Sequence, residues 1–186
     1  MNKYQILFVL AAGSCLWTAA AQDTNILRTQ IGQFENRTGS VIIKGYGVIG
    51  SVPGGGGAEI SVRCKETTDV SVGRKLYGLA IDINVGRDQR ERIYVDDNEI
   101  DSLLAGLNYV RKISYDVTEL PSFEASYTTK GGFEVRAHSI RKEGTLQFFA
   151  QGNYSPPIQL NSIDVSKLYD LILSAQKNLD SLKPAK

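Results

Sequence analysis

The chain has 186 residues, with Lys+Arg 21 against Asp+Glu 20, 42% hydrophobic residues and a formal net charge of +1. That is enough apolar content for one well-cored domain and too much for a disordered tail. Two cysteines exclude a disulfide scaffold, and near-neutrality removes the usual argument for a nucleic-acid or anionic-membrane binder.

Residues Met1 to Ala21 read as an address. Lys3 precedes an apolar run from Ile6 to Ala12, and the segment closes on Ala19-Ala20-Ala21. A positive start, an apolar centre and an A-x-A site in that order make a secretory signal peptide, removed before the domain 22–186 folds. The competing reading takes Ala12-Gly13-Ser14-Cys15 as a lipobox, in which case the protein is anchored to a membrane through Cys15. Cleavage after Ala21 removes one charge, Lys3, and leaves the mature chain formally neutral with Cys64 as its lone thiol. No internal disulfide is then possible, so stability must come from packing.

Asp23 to Phe34 is an apolar lead-in that periodicity leaves open between a short helix and an edge strand. A β-branched run then covers Val41 to Ile49, and the glycines Gly54, Gly55, Gly56 and Gly57 join it to the stretch from Ala58 to Lys65. Leu76 to Val85 and Arg92 to Val95 follow. Ile60, Val62 and Cys64 alternate with polar residues, as do Leu79, Ile81, Ile83 and Val85, which predicts half-buried antiparallel strands. At Asp96 the period changes. Asp96 stands three residues before Glu99, close to a capping box, and Ile100, Leu103, Leu104, Leu107 and Val110 form one helical stripe ending in Arg111-Lys112.

The pattern repeats. Phe123-Ala125-Tyr127, Phe133-Val135-Ala137, Leu146-Phe148-Ala150 and Ile158-Leu160 read as four further strands. Asn161 or Ser162 then caps a helix with Val165, Leu168, Ile172, Ala175 and Leu179 on one face, stopped by Pro184. An ungapped shift of 65 lays Ala58–Ile113 over Phe123–Asn178 and brings Ile81 onto Leu146, Ile93 onto Ile158 and Leu103 onto Leu168. The predicted fold is therefore α+β: antiparallel sheets with two helices, a (ββββα) unit over 22–113 and another over 120–186, sharing one core.

This plan resembles, in its order of elements, the Whirly-type single-stranded-DNA binders. The resemblance implies a sheet surface for nucleic acid. None of their motifs occurs, however, and the basic pairs Arg74-Lys75, Arg111-Lys112 and Arg141-Lys142 are offset by interleaved Asp and Glu, so no nucleic acid is expected as partner.

Catalytic signatures are absent: no G-x-S-x-G, H-E-x-x-H or C-x-x-C occurs. One His and one mature Cys give no basis for a metal or any other cofactor. The four glycines run into a strand rather than a helix, so they are a hairpin connection or a flap over a ligand rather than a phosphate loop. The acidic knot from Asp96 to Asp101 lacks the spacing of a calcium loop. Cys64 has apolar parity and His138 polar parity, which argues against a dyad. What remains is an exported, non-catalytic module, secreted or periplasmic, binding an envelope or extracellular protein or a small ligand. Tyr127, Phe133, Phe148 and Phe149 are its candidate ligand-binding residues. The alternative is an exported hydrolase pairing carboxylates such as Asp82, Asp96 or Glu134 with His138.

Overall fold

Alternation of apolar and polar side chains makes every strand two-faced, and two-faced sheets must bury one side against something else. The computed structural model describes residues 28–86, 89–140 and 144–183 and shows how this is done. Residues 1–21, read above as a signal segment, with Lys3 and Cys15, together with Arg87, Arg141, Lys142 and Pro184, lie outside the described residues.

The lead-in forms a short helix, α1 (Gln30–Glu35). The first sheet follows as a meander of β1 (Ile42–Pro53), β2 (Glu59–Asp69), β3 (Arg74–Val85) and β4 (Gln89–Asp96), all antiparallel. After a single 3-10 turn comes α2 (Ile100–Arg111). The second sheet is a shorter meander of β5 (Ser122–Thr128), β6 (Glu134–Ile140), β7 (Thr145–Gln151) and β8 (Ile158–Leu160), and α3 (Ser162–Leu182) closes the order. Two four-stranded antiparallel sheets, each followed by a helix, share one core, as the repeat implied.

The helices are exchanged between the units. α3 lies on β1 and β2 of the first sheet, α2 lies on β5 and β6 of the second, and the two helices pack against each other. Single contacts show it. The Cys64 thiol of β2 donates to the Ala175 carbonyl of α3 at 3.4 Å. Gly50 of β1 abuts Leu171, and Gly106 of α2 sits against the ring of Tyr127 in β5. Gln176 to Asp101, Lys183 to Asp97 and the Arg111 guanidinium over Tyr169 set the two helices antiparallel. The stripe Leu103, Leu104, Leu107 and Val110 and the stripe Leu168, Ile172, Ala175 and Leu179 therefore meet residues of both sheets in one apolar cluster. Each fully buried Leu or Ile contributes about 1.5–3 kcal/mol of transfer free energy, so neither half could forgo the other's helix.

Two local expectations are corrected. Asp96 does not cap α2. Its carboxylate turns to the backbone N–H groups of Gln30 and Ile31, at 2.7 and 3.0 Å, and so caps α1 from 66 residues away. Glu99, buried as well, accepts from the Lys130 N–H at 2.7 Å. Both acids stitch segments together instead of closing a capping box, which α3 alone of the two long helices has, between Asn161 and Asp164. The shift of 65 aligns β3 with β7, β4 with β8 and α2 with α3. It lays β2 on β5 rather than on its counterpart β6, because β2 and β3 run 11 and 12 residues where β6 and β7 run 7.

Candidate functional site

Residues of even number on β1 before its bulge, on β3 and on β4, together with odd ones on β2, point away from the core. They form an outer face that α1 covers only in part. Ile31 and Phe34 are the anchors of α1, both buried. Ile31 needs the space left by Gly78, where an added Cβ would lie 2.5 Å from its methyl group and 2.3 Å from the Val95 carbonyl.

The carboxylate of Glu35, the last residue of α1, is the hub. It meets Lys65 Nζ at 2.6 Å and Lys44 Nζ at 2.8 Å, and accepts from the Thr67 hydroxyl at 3.1 Å. Lys65 is 1% exposed, and its ammonium also donates to the Tyr46 hydroxyl at 2.9 Å. It lies 4.1 Å from the centre of the Tyr46 ring and 4.7 Å from that of Tyr94. An aromatic cage thus holds the protein's own cation. Burial pushes the Glu35 carboxyl up, but the bonds and charges of Lys44 and Lys65 outweigh it and hold the pKa below its ordinary value. Burial also opposes ionisation of Tyr46, and again Lys65 prevails and lowers it. Tyr94, more deeply buried and beside Glu35, is pushed up.

Beyond α1 the face is open. Arg92 grips Asp82 side-on, Nε to Oδ1 at 2.5 Å and Nη2 to Oδ2 at 3.0 Å, and Arg63 Nε approaches Asp82 Oδ2 at 2.9 Å. The Arg92 guanidinium also stacks 4.9 Å from Tyr46. Next to this pair lies a polar hollow of about 390 Å³ that Arg63, Arg90 and Arg92 share with Ser61 and Asn84. Across the whole face six cations (Lys44, Arg63, Lys65, Arg74, Arg90, Arg92) stand with five carboxylates (Glu35, Glu59, Asp69, Asp82, Asp96), and three of the cations gather at the hollow. Among the described residues the corresponding face of the second sheet carries Arg136 and His138 with Glu124 and Glu134.

No family model, curated protein or solved structure matches the chain.

The residues singled out from the sequence are distributed as follows. Phe133 and Phe148 are buried in the shared core, and Tyr127 packs half-buried on α2. Phe149 projects from the opposite face of β7, with the Arg136 guanidinium 5.9 Å from its ring. The structure thus brings three of the four together as core and leaves the fourth outside. Gly54 to Gly57 make a tight hairpin in which Gly56 and Gly57 have positive φ. Gly54 is pressed on β8, where a Cβ would meet Ile158 at 2.1 Å.

His138 lies on the outer face of the second sheet between Glu124 and Gln147. Asp82 is engaged by arginines on the other sheet and Asp96 by the α1 backbone, while Glu134 accepts from Gln151 on its own sheet. These groups do not converge. The Cys64 thiol is buried and pushed up by that burial, which leaves it unreactive. Among the described residues no group of three or more His, Cys, Asp or Glu is placed to hold a metal, and no helix is long and apolar enough to cross a membrane.

The Glu35–Lys65 hub was missed from the sequence. Its one sign was parity: Lys65 stands opposite the apolar series Ile60, Val62 and Cys64, on a face that would need covering if a lead-in helix with Ile31 and Phe34 docked there.

Proposed function

We propose that the chain is an exported, non-catalytic module that binds a small ligand or an envelope partner through the open part of the first sheet's outer face. The observation that carries this reading is the uneven treatment of the two outer faces. One keeps a fully buried lysine, an arginine–aspartate pair and a polar hollow, while among the described residues its counterpart in the repeat shows neither such a lysine nor such a pair. A buried charge network stabilises a fold no better than apolar packing would, so its retention on one face alone fits a surface shaped for recognition. Export rests on the leader segment and binding on this face. A dispersed His138 and dispersed carboxylates favour binding over hydrolysis.

Hydroxyl-radical footprinting tests the reading. The mature protein is oxidised alone and in the presence of envelope extract from its own cells, and modification is read by mass spectrometry. Tyr46 and Val48, 39% and 71% exposed on the first face, should lose reactivity, and Phe149 on the second should not. Protection of Phe149 alone, or no protection anywhere, would overturn it.

A further inference from the structure

The open hollow beside Asp82 has a lining whose chemistry is selective. Its acids are already engaged or marginal. Asp82 holds Arg92 and Arg63, and Glu91 accepts from the backbone N–H groups of Asn153, Tyr154 and Ser155 in the β7–β8 loop, at 2.7, 3.1 and 2.8 Å. Glu59 stands exposed at the rim.

Its donors are not used up. Each guanidinium carries five N–H donors. Arg92 uses two of its nitrogens on Asp82, Arg63 Nε is buried yet not aligned to donate to Asp82, and Arg90 is exposed with no ion pair among the described residues. The Arg92–Asp82 pair demonstrates that a guanidinium on this face takes a planar carboxylate side-on.

The rest of the lining narrows the ligand further. Ser61 and Asn84 each offer both a donor and an acceptor, Glu59 offers acceptors, and no aliphatic or aromatic side chain lines the hollow. A fatty or aromatic acid would leave those polar groups desolvated and unmatched. A bare inorganic anion would satisfy the arginines and leave most of the roughly 390 Å³ to water. A ring bearing one carboxylate and several hydroxyls meets every group.

We propose that this hollow binds a sugar acid, with the carboxylate on Arg63 and Arg90 and the hydroxyls on Ser61, Asn84 and Glu59. The proposal rests on the first face being the binding surface and adds the class of ligand.

The test is an NMR titration of the arginine Nε–Hε signals of the mature protein with glucuronate, with glucose as its uncharged counterpart and inorganic phosphate as a bare anion. Glucuronate should shift the Arg63 and Arg90 signals saturably, with a dissociation constant on the order of millimolar for so small a ligand. Arg90→Gln removes an exposed donor without touching the Asp82 pair and should weaken binding about tenfold. Arg136→Gln on the second sheet should leave it unchanged. Equal shifts with glucose, phosphate as effective as glucuronate, or no shift by about 20 mM glucuronate would each overturn the proposal. If Tyr46 and Val48 are still protected in the footprint, only the ligand class falls and the face stands.

Discussion

Two glutamates, Glu35 at the end of α1 and Glu99 just before α2, respond to pH in opposite senses. Glu35 is held below its ordinary value of 4.5 by Lys44 and Lys65, so the fold favours its ionised form. Its contribution is complete above the unfolded-chain value and is lost as pH falls through the lowered folded one. Glu99 is raised above 4.5 by burial, against the Lys130 N–H that stabilises its charge, and its Oε2 has no partner. Its contribution is complete below 4.5 and drains away as pH rises through the raised value.

Glu35→Gln should therefore cost about 3 kcal/mol at pH 7 by urea denaturation, because Lys65 is left buried and uncompensated. Adding Lys65→Met should restore most of that loss. Equal stability of the single variant and the wild type would show that the hub is not an ion pair. Glu99→Gln keeps the acceptor for Lys130 and removes the buried charge, so its melting temperature at pH 7 should exceed that of the wild type. That advantage should shrink below pH 4.5, and a lower melting temperature at pH 7 would contradict the assignment.

At the scale of elements, the tightest constraint is the seat of α2 on the second sheet. Alanine favours a helix interior over glycine by about 1 kcal/mol. A Cβ on Gly106, however, would lie 2.4 Å from the base of the Tyr127 ring, too near the backbone for the side chain to swing clear. Overpacking of this kind costs about 1–3 kcal/mol, so Gly106→Ala should destabilise the protein despite its better propensity. In a Tyr127→Ala background, where only the Cβ contact at 2.8 Å remains, the same change should cost less. A gain in the wild-type background would mean that α2 does not sit on β5.

The same element shows where sequence reasoning stops. The stripe from Ile100 to Val110 is plain from its spacing, and so are the strands, β1 from its β-branched run and most of the others from their alternation. Spacing identifies an apolar face but says nothing about which sheet it will meet, so the exchange of α2 and α3 was not legible. Asp96 misled for a related reason. A carboxylate three residues before a glutamate is a local signal, and a helix N-terminus arriving from residue 30 competed for it and won.

On the scale of the whole molecule, the repeat supplies a common core and the departures from symmetry supply the site. Asp82 and Tyr94 fall by the shift of 65 on Gln147 and Gln159, which bring neither the charge nor the ring. The candidate aromatics Phe133 and Phe148 were legible as inward-facing, but whether an inward face encloses a cavity or fills one depends on how two sheets and two helices close together. Here they fill it.

The central claim, that one of the two outer faces does the binding, is tested most directly by matched charge reversals. Arg90→Glu on the first face and Arg136→Glu on the second are measured for retention on the envelope fraction of the protein's own cells, after equal melting temperatures have been confirmed. The first should abolish retention and the second should leave it at the wild-type level. Retention that survives Arg90→Glu but is lost with Arg136→Glu would place the binding surface on the other sheet.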